Sequence, residues 1–129
     1  MKSTLLLFVY IAAIYIGVAS ATELSMPLGI PKPPDSRLAI SDIYDAPGGE
    51  REEWIARFGT KVSRQEMLSF YRTALKKAGF KTYSSADKAD YAMIAAKRDD
   101  DRISITFKNQ SDWVEADENE ISIKAVYNK

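Results

Sequence analysis

The sequence predicts an α+β domain, with one amphipathic helix packed on one face of an antiparallel sheet of about four strands. Residues 63–80 carry apolar side chains at helical spacing, whereas residues 102–108 and 120–127 alternate apolar and polar side chains with a period of two. The short connection between the strands on either side of residue 100 favours antiparallel pairing. The expected order is β-α-β-β-β, with a further N-terminal strand left open.

The N-terminus has the pattern of an export signal. A positive start at Met1-Lys2 precedes the apolar residues 5–18, and Ala19-Ser20-Ala21 follows with the small side chains that signal peptidase accepts. We therefore predict a signal peptide over residues 1–21 and a periplasmic or secreted location. The alternative is an uncleaved membrane anchor, and membrane contact is expected only in that case.

A proline-rich segment, residues 22–36, follows the cleavage point. It contains Pro27, Pro31, Pro33 and Pro34, which fix the backbone and remove hydrogen-bond donors. The segment is predicted to be an extended spacer in front of a single α+β domain, residues 37–129.

The first part of that domain is predicted to contain one or two strands. Residues 37–44 alternate only partially, so they are either a strand or a loop that lies over the sheet. The Pro47-Gly48-Gly49 sequence breaks any regular structure. Residues 53–59 are predicted to form a strand, with Trp54 and Phe58 on the same face.

The helix has clear start and stop signals. Ser63 followed by Glu66 three residues later is a capping box, and Gly79 stands where a left-handed residue ends a helix. The apolar stripe consists of Met67, Leu68, Tyr71, Ala74, Leu75 and Ala78.

The C-terminal half is predicted to contain three strands. Residues 84–90 are polar and are interpreted as a connection. Strands are expected over residues 91–97, 102–108 and 120–127, with a turn at residues 98–101 and an acidic loop at residues 109–119.

Composition excludes several classes of function. The 129-residue chain has no Cys and no His, so thiol or imidazole catalysis and zinc ligation by these residues are absent. Its 18 basic and 18 acidic residues balance, which does not indicate nucleic-acid binding. The acidic loop lacks the glycine that an EF-hand calcium loop needs for its sharp turn. No enzyme activity, catalytic residue, cofactor or metal is predicted, and a hydrolase that uses Asp112 and Glu115 is the alternative.

Four residues are candidates for an interaction surface with a protein or cell-envelope partner. Arg72, Lys76 and Lys77 lie on the face of the predicted helix opposite its apolar stripe, and Trp113 lies in the acidic loop. An unpaired edge strand of the predicted sheet is a further contact surface.

The stretch SRQEMLSFYRTALKKAGF resembles the helix of small exported bacterial domains with a pattern such as s.eem..FYr..L...GF before several strands. The similarity spans residues 52–127 and implies a fold and a compartment, but no activity. The matching residues are Glu66, Met67, Phe70, Tyr71, Leu75, Gly79 and Phe80.

Two functional hypotheses result. The first is a non-enzymatic accessory or binding domain outside the cytoplasm. The second is a membrane-tethered subunit of a cell-envelope complex, in which the apolar N-terminal helix stays in the bilayer and the proline-rich segment is a stalk.

Overall fold

The computed structural model describes residues 24–129, in which one helix, α1 (Arg64–Lys77), packs on a six-stranded antiparallel sheet. The predicted signal peptide lies outside the described residues. The strands are β1 (Ser36–Asp45), β2 (Arg51–Thr60), β3 (Lys81–Asp87), β4 (Tyr91–Arg98), β5 (Asp101–Lys108) and β6 (Asn119–Asn128).

The strand order is β1-β2-β6-β5-β4-β3, so β1 and β3 form the two edges of this sheet. The strands pair with their sequence neighbours, except that α1 separates β2 from β3 and β6 lies between β2 and β5. The chain therefore leaves the sheet after β2, forms α1 and rejoins the sheet at the β3 edge. The helix connects these distant strands across one face of the sheet. We call that face the inner face and the opposite one the outer face.

The helix begins and ends where its sequence signals predict. The Ser63 hydroxyl accepts the Glu66 N–H at 3.2 Å. At the other end Gly79 has φ +87°, the Gly79 N–H donates to Lys76 O, and the Phe80 N–H donates to Leu75 O at 2.9 Å. These two bonds form the Schellman arrangement, which uses carbonyls that the last turn leaves unpaired.

The α+β class is confirmed, but the prediction of about four strands is wrong. Residues 37–44 lie within β1, which pairs with β2 along its length. Residues 84–90, interpreted as a polar connection, include most of β3. β3 is an edge strand that is exposed along nearly its whole length. Because neither of its faces is buried, its sequence does not show the alternation of apolar and polar residues that predicts a strand.

The core lies between α1 and the inner face. Tyr71 and Leu75 are at most 2% exposed, and the ring of Tyr71 lies 6.5 Å from that of Phe107. The buried side chains of the sheet alternate along β2, β4, β5 and β6, as their sequences predict. They are Trp54, Ala56, Phe58, Ala92, Ile94, Ala96, Ile103, Ile105, Phe107, Ile121, Ile123 and Ala125.

The segment before β1 packs against the domain. We call residues 24–35 the arm. Ile30 is 2% exposed within the core, and the Tyr71 hydroxyl donates to Pro31 O at 3.0 Å. The Thr60 hydroxyl holds the end of the arm through Asp35 O at 3.2 Å. A free extended spacer was expected here, but the apolar side chains at positions 24, 26, 28 and 30 give the arm an apolar face that the core accepts.

Within residues 24–129, no helix is both long enough and apolar enough to cross a membrane.

We predict that Tyr71→Phe destabilises the fold by about 0.5–1.5 kcal/mol, because the hydrogen bond from the buried Tyr71 side chain to the Pro31 carbonyl is lost. Urea denaturation measures the change. Tyr83→Phe is the matched control, since Tyr83 is 56% exposed on β3. Equal unfolding midpoints for Tyr71→Phe and wild type would show that the hydroxyl does not anchor the arm.

Candidate functional site

The candidate interaction residues lie on opposite sides of the sheet. Arg72, Lys76 and Lys77 are exposed on α1, which covers the inner face. Trp113 lies against Arg57, whose position between the inner-face residues Ala56 and Phe58 places it on the outer face. The structure therefore brings together the three helix residues but does not join Trp113 to them.

A concave surface lies along the flank of α1. This groove has a volume of about 550 Å³ and runs between the helix and the arm. A second hollow of about 410 Å³ shares Pro31, Ala74 and Lys77 with it. The groove is lined by Pro31, Glu66, Ser69, Phe70, Thr73, Ala74 and Lys77.

The residues of the groove follow from helical spacing. Glu66, Phe70, Thr73 and Lys77 are three or four residues apart, so they form one row beside the buried stripe. Glu66 and Lys77 are about 16 Å apart along the axis at the rise of an α-helix. The groove thus has apolar walls between an acidic end and a basic end.

The opposite wall is the arm. Pro31 lines the groove, and its carbonyl is the acceptor of the Tyr71 hydroxyl. Ile30, the preceding residue, is buried in the core. This wall is therefore held by contacts on the inner side of the arm. Sequence reasoning missed the groove because Pro31 and α1 are more than 30 residues apart in the chain.

On the outer face, an arginine of β2 stacks on a tryptophan ring and pairs with a glutamate of β6. The Arg57 guanidinium lies 5.2 Å from the Trp113 ring centre and 3.4 Å from a carboxylate oxygen of Glu120. Glu120 is 1% exposed and also accepts the Ser111 hydroxyl at 2.8 Å. Trp113 remains 48% exposed and borders a pocket of about 190 Å³ with Ile40 and Ile55.

A second buried acid fixes the acidic loop to the sheet. Glu118 Oε1 accepts from Arg37 at 2.6 Å and from the Glu115 N–H at 2.9 Å. Its carboxylate fills the space above Gly59, where a methyl group would lie 2.5 Å from Glu118 Oε1. The hydrogen bonds from Arg37 and Glu115 lower the pKa of the Glu118 carboxyl. Part of the acidic loop is therefore fixed to the sheet.

The remaining acidic residues of the loop form no cation site. Asp112 and Glu115 are exposed, and neither lines a pocket in the described part of the chain. Among residues 24–129, no three acidic side chains are placed to hold a metal ion.

The edge strand β1 is protected against the addition of another strand. The Asp42 carboxylate accepts the Ile43 N–H at 2.9 Å, so that donor is occupied. The pairing of β1 with β2 also shifts register between Leu38 and Ile40. Irregular pairing and charged side chains at an edge discourage strand addition, although Ile43 and Tyr44 are about half exposed there.

Comparison with known proteins gives one family. A family model described as START domain-like matches residues 43–119, which is more than half of the chain. The match contains all of β2, α1, β3, β4 and β5, whereas the arm lies outside it. Neither the curated proteins nor the solved structures gave a match.

We predict that the Glu118 contacts stabilise the fold most above pH about 4.5. Because the pKa is lowered in the folded protein, this stabilisation is lost as the pH falls through the folded-state pKa. Glu118→Gln should therefore destabilise the protein at pH 7 and have a smaller effect at pH 3 in urea denaturation. Asp112→Asn, at an exposed position of the same loop, is the control. A Glu118→Gln effect that is the same at both pH values would contradict the role of the ionised carboxylate.

Proposed function

We propose that this chain, which belongs to the START domain-like family, is a non-enzymatic binding module that takes a small ligand in the groove between α1 and the arm. The observation that carries the proposal is the groove itself, about 550 Å³ in volume with Phe70, Ala74 and Pro31 in its walls. Ligand pockets have volumes of about 300–1,000 Å³ and combine apolar walls with a few polar groups.

The space between α1 and the sheet is filled, which favours a ligand site on the flank of the helix instead. Tyr71, Ile105 and Ile123 are fully buried between α1 and the sheet. The pocket beside Val62 and Phe107, at the helix N-terminus, measures only about 10 Å³, less than one water molecule needs. A ligand between helix and sheet would have to displace packed core side chains, which costs several kcal/mol. The groove requires no such displacement.

The groove favours a mainly apolar molecule with one anionic end. Phe70, Ala74 and Pro31 would contact the apolar part. Lys77 also lines the adjoining hollow, so its ammonium can meet an anion from either side. It has no carboxylate within ion-pair distance in the described part of the chain. The proposal of a non-enzymatic role is supported by the lack of Cys and His.

The module is further proposed to act outside the cytoplasm as an accessory protein. Support comes from the positive start, the apolar residues 5–18 and the Ala19-Ser20-Ala21 sequence. The predicted partner is a protein or another component of the cell envelope.

Binding in the groove is tested with the fluorescent probe 1-anilinonaphthalene-8-sulfonate, which is apolar and carries one anionic group. Thr73→Trp should fill the groove and abolish the fluorescence increase seen with wild type, and Lys77→Gln should weaken it. Arg72→Trp introduces the same side chain at the adjacent exposed position, which does not line the groove, and should leave the signal unchanged. Thermal melting confirms that each variant is folded.

Two results would contradict the groove as the binding site. One is probe fluorescence that Thr73→Trp leaves unchanged. The other is an equal loss of fluorescence in Arg72→Trp.

Export is tested separately. N-terminal sequencing of the protein purified from the cell envelope or medium should begin at Thr22, because cleavage is predicted after Ala21. A sequence that begins at Met1 in a membrane fraction would instead support the tethered subunit.

A further inference from the structure

Three cationic side chains lie side by side across three neighbouring strands. Lys81 of β3 is directly opposite Lys97 of β4, and Lys97 is directly opposite Arg102 of β5. All three are exposed, and they lie on the outer face because the adjacent Ala96 and Ile103 are buried on the inner face. Opposed residues of an antiparallel pair have Cβ atoms about 5 Å apart. We call Lys81, Lys97 and Arg102 the cation row.

No carboxylate forms an ion pair with the cation row among residues 24–129. Beyond Arg102 the next residue across the sheet is Val126. The carboxylate beyond that, Glu53, already binds Lys124 Nζ at 2.5 Å. Each cation of the row therefore faces another cation or an apolar side chain across the strands.

The cation row borders a hollow of about 380 Å³ at the end of the molecule where α1 stops. One wall of this hollow is fixed by its own contacts. Arg98 donates to Ala78 O at 2.7 Å and lies 4.4 Å from the Phe80 ring centre, so its guanidinium is engaged. The hollow is lined by Gly79, Lys81, Lys97, Arg98, Asp99 and Arg102.

Arg102 is oriented by the turn between β4 and β5. One guanidinium nitrogen donates to Asp99 O at 2.9 Å and to Asp101 O at 3.0 Å. The structure shows no other hydrogen bond from this guanidinium within residues 24–129. The remaining N–H groups are therefore available to a ligand. Asp99 is the one carboxylate among the residues that line the hollow.

On the other half of the outer face, two cations form ion pairs with carboxylates. There Arg57 is paired with Glu120 and Lys124 with Glu53. Like charges that are directly opposed destabilise a sheet, so folding gains nothing from the cation row. A bound oxyanion would offset the repulsion and accept hydrogen bonds from all three side chains.

We propose that the cation row and its hollow bind a ligand with phosphate-type oxyanions. Arg102 offers a planar fork that matches two oxygens of one phosphate, while Lys81 and Lys97 are compact positive charges that suit a second phosphate. The phosphates come from a soluble polyphosphate compound or from the head groups of an anionic lipid surface. This proposal does not depend on the groove along α1, which lies over the inner face.

The test uses the protein as purified from the cells that produce it, in low-salt buffer. Sodium pyrophosphate is titrated by calorimetry, and co-sedimentation is measured with vesicles of phosphatidylcholine alone or mixed with phosphatidylglycerol. Binding of pyrophosphate identifies a soluble ligand, and sedimentation only with the anionic vesicles identifies a lipid surface. Binding of neither overturns the proposal.

The variants Lys97→Gln and Lys88→Gln separate the cation row from overall charge. Both remove one positive charge, but Lys88 lies beyond the far end of β3. Lys97→Gln should weaken binding about tenfold or more, since a hydrogen bond to a charged group is lost. Lys88→Gln should retain binding, and an equal loss in both variants would overturn the proposal.

A stability measurement excludes misfolding as the cause. Without ligand, Lys97→Gln should melt no lower than wild type, because it removes the central repulsion of the row. Pyrophosphate or anionic vesicles, whichever binds, should then raise the melting temperature of wild type more than that of Lys97→Gln. A rise of the same size in both proteins would overturn the role of the row.

Discussion

The buried side chain of Tyr71 connects the three parts of this structure. Its ring packs at right angles to Phe70 and faces Phe107 of β5, while its hydroxyl holds the arm through Pro31. A phenol with one apolar body and one polar tip is suited to this position, because the body can be buried while the tip finds an acceptor. This contact, together with the burial of Ile30, keeps the arm beside the helix and so forms the groove. The candidate site therefore depends on a core residue that does not line it.

The two halves of the outer face differ in whether their cations are paired with carboxylates. Around β2 and β6, the acidic loop folds back so that Glu118 and Glu120 meet Arg37 and Arg57. Burial of these carboxylates requires partners, because an unpaired buried charge is strongly unfavourable. Across β3, β4 and β5 the three residues of the cation row are exposed, and none of them pairs with a carboxylate of residues 24–129. Water weakens the repulsion between these cations enough for the sheet to form. Their positive charge therefore remains available to an anionic ligand.

The candidate residues were only partly predictable. Lys77 was chosen from its place on the exposed side of a predicted helix, and it lines the groove. Trp113 was chosen as an aromatic residue in a loop, and it contacts Arg57 instead of the helix residues. The cation row was not predictable, because Lys81, Lys97 and Arg102 become neighbours only through strand register. A register is a relation between distant segments, and composition or local spacing does not contain it.

By itself the sequence determined the helix with its two caps, the alternating strands around β5 and β6, and the α+β class. These features depend on interactions within a few residues, such as Ser63 with Glu66 or Leu75 with Phe80. Only the tertiary structure decided that β3 is a strand and that the arm belongs to the domain. β3 owes its structure to pairing with β4, and the arm to an apolar surface that α1 leaves uncovered. Both segments have little local preference of their own, so their conformation is set by the partner that they contact.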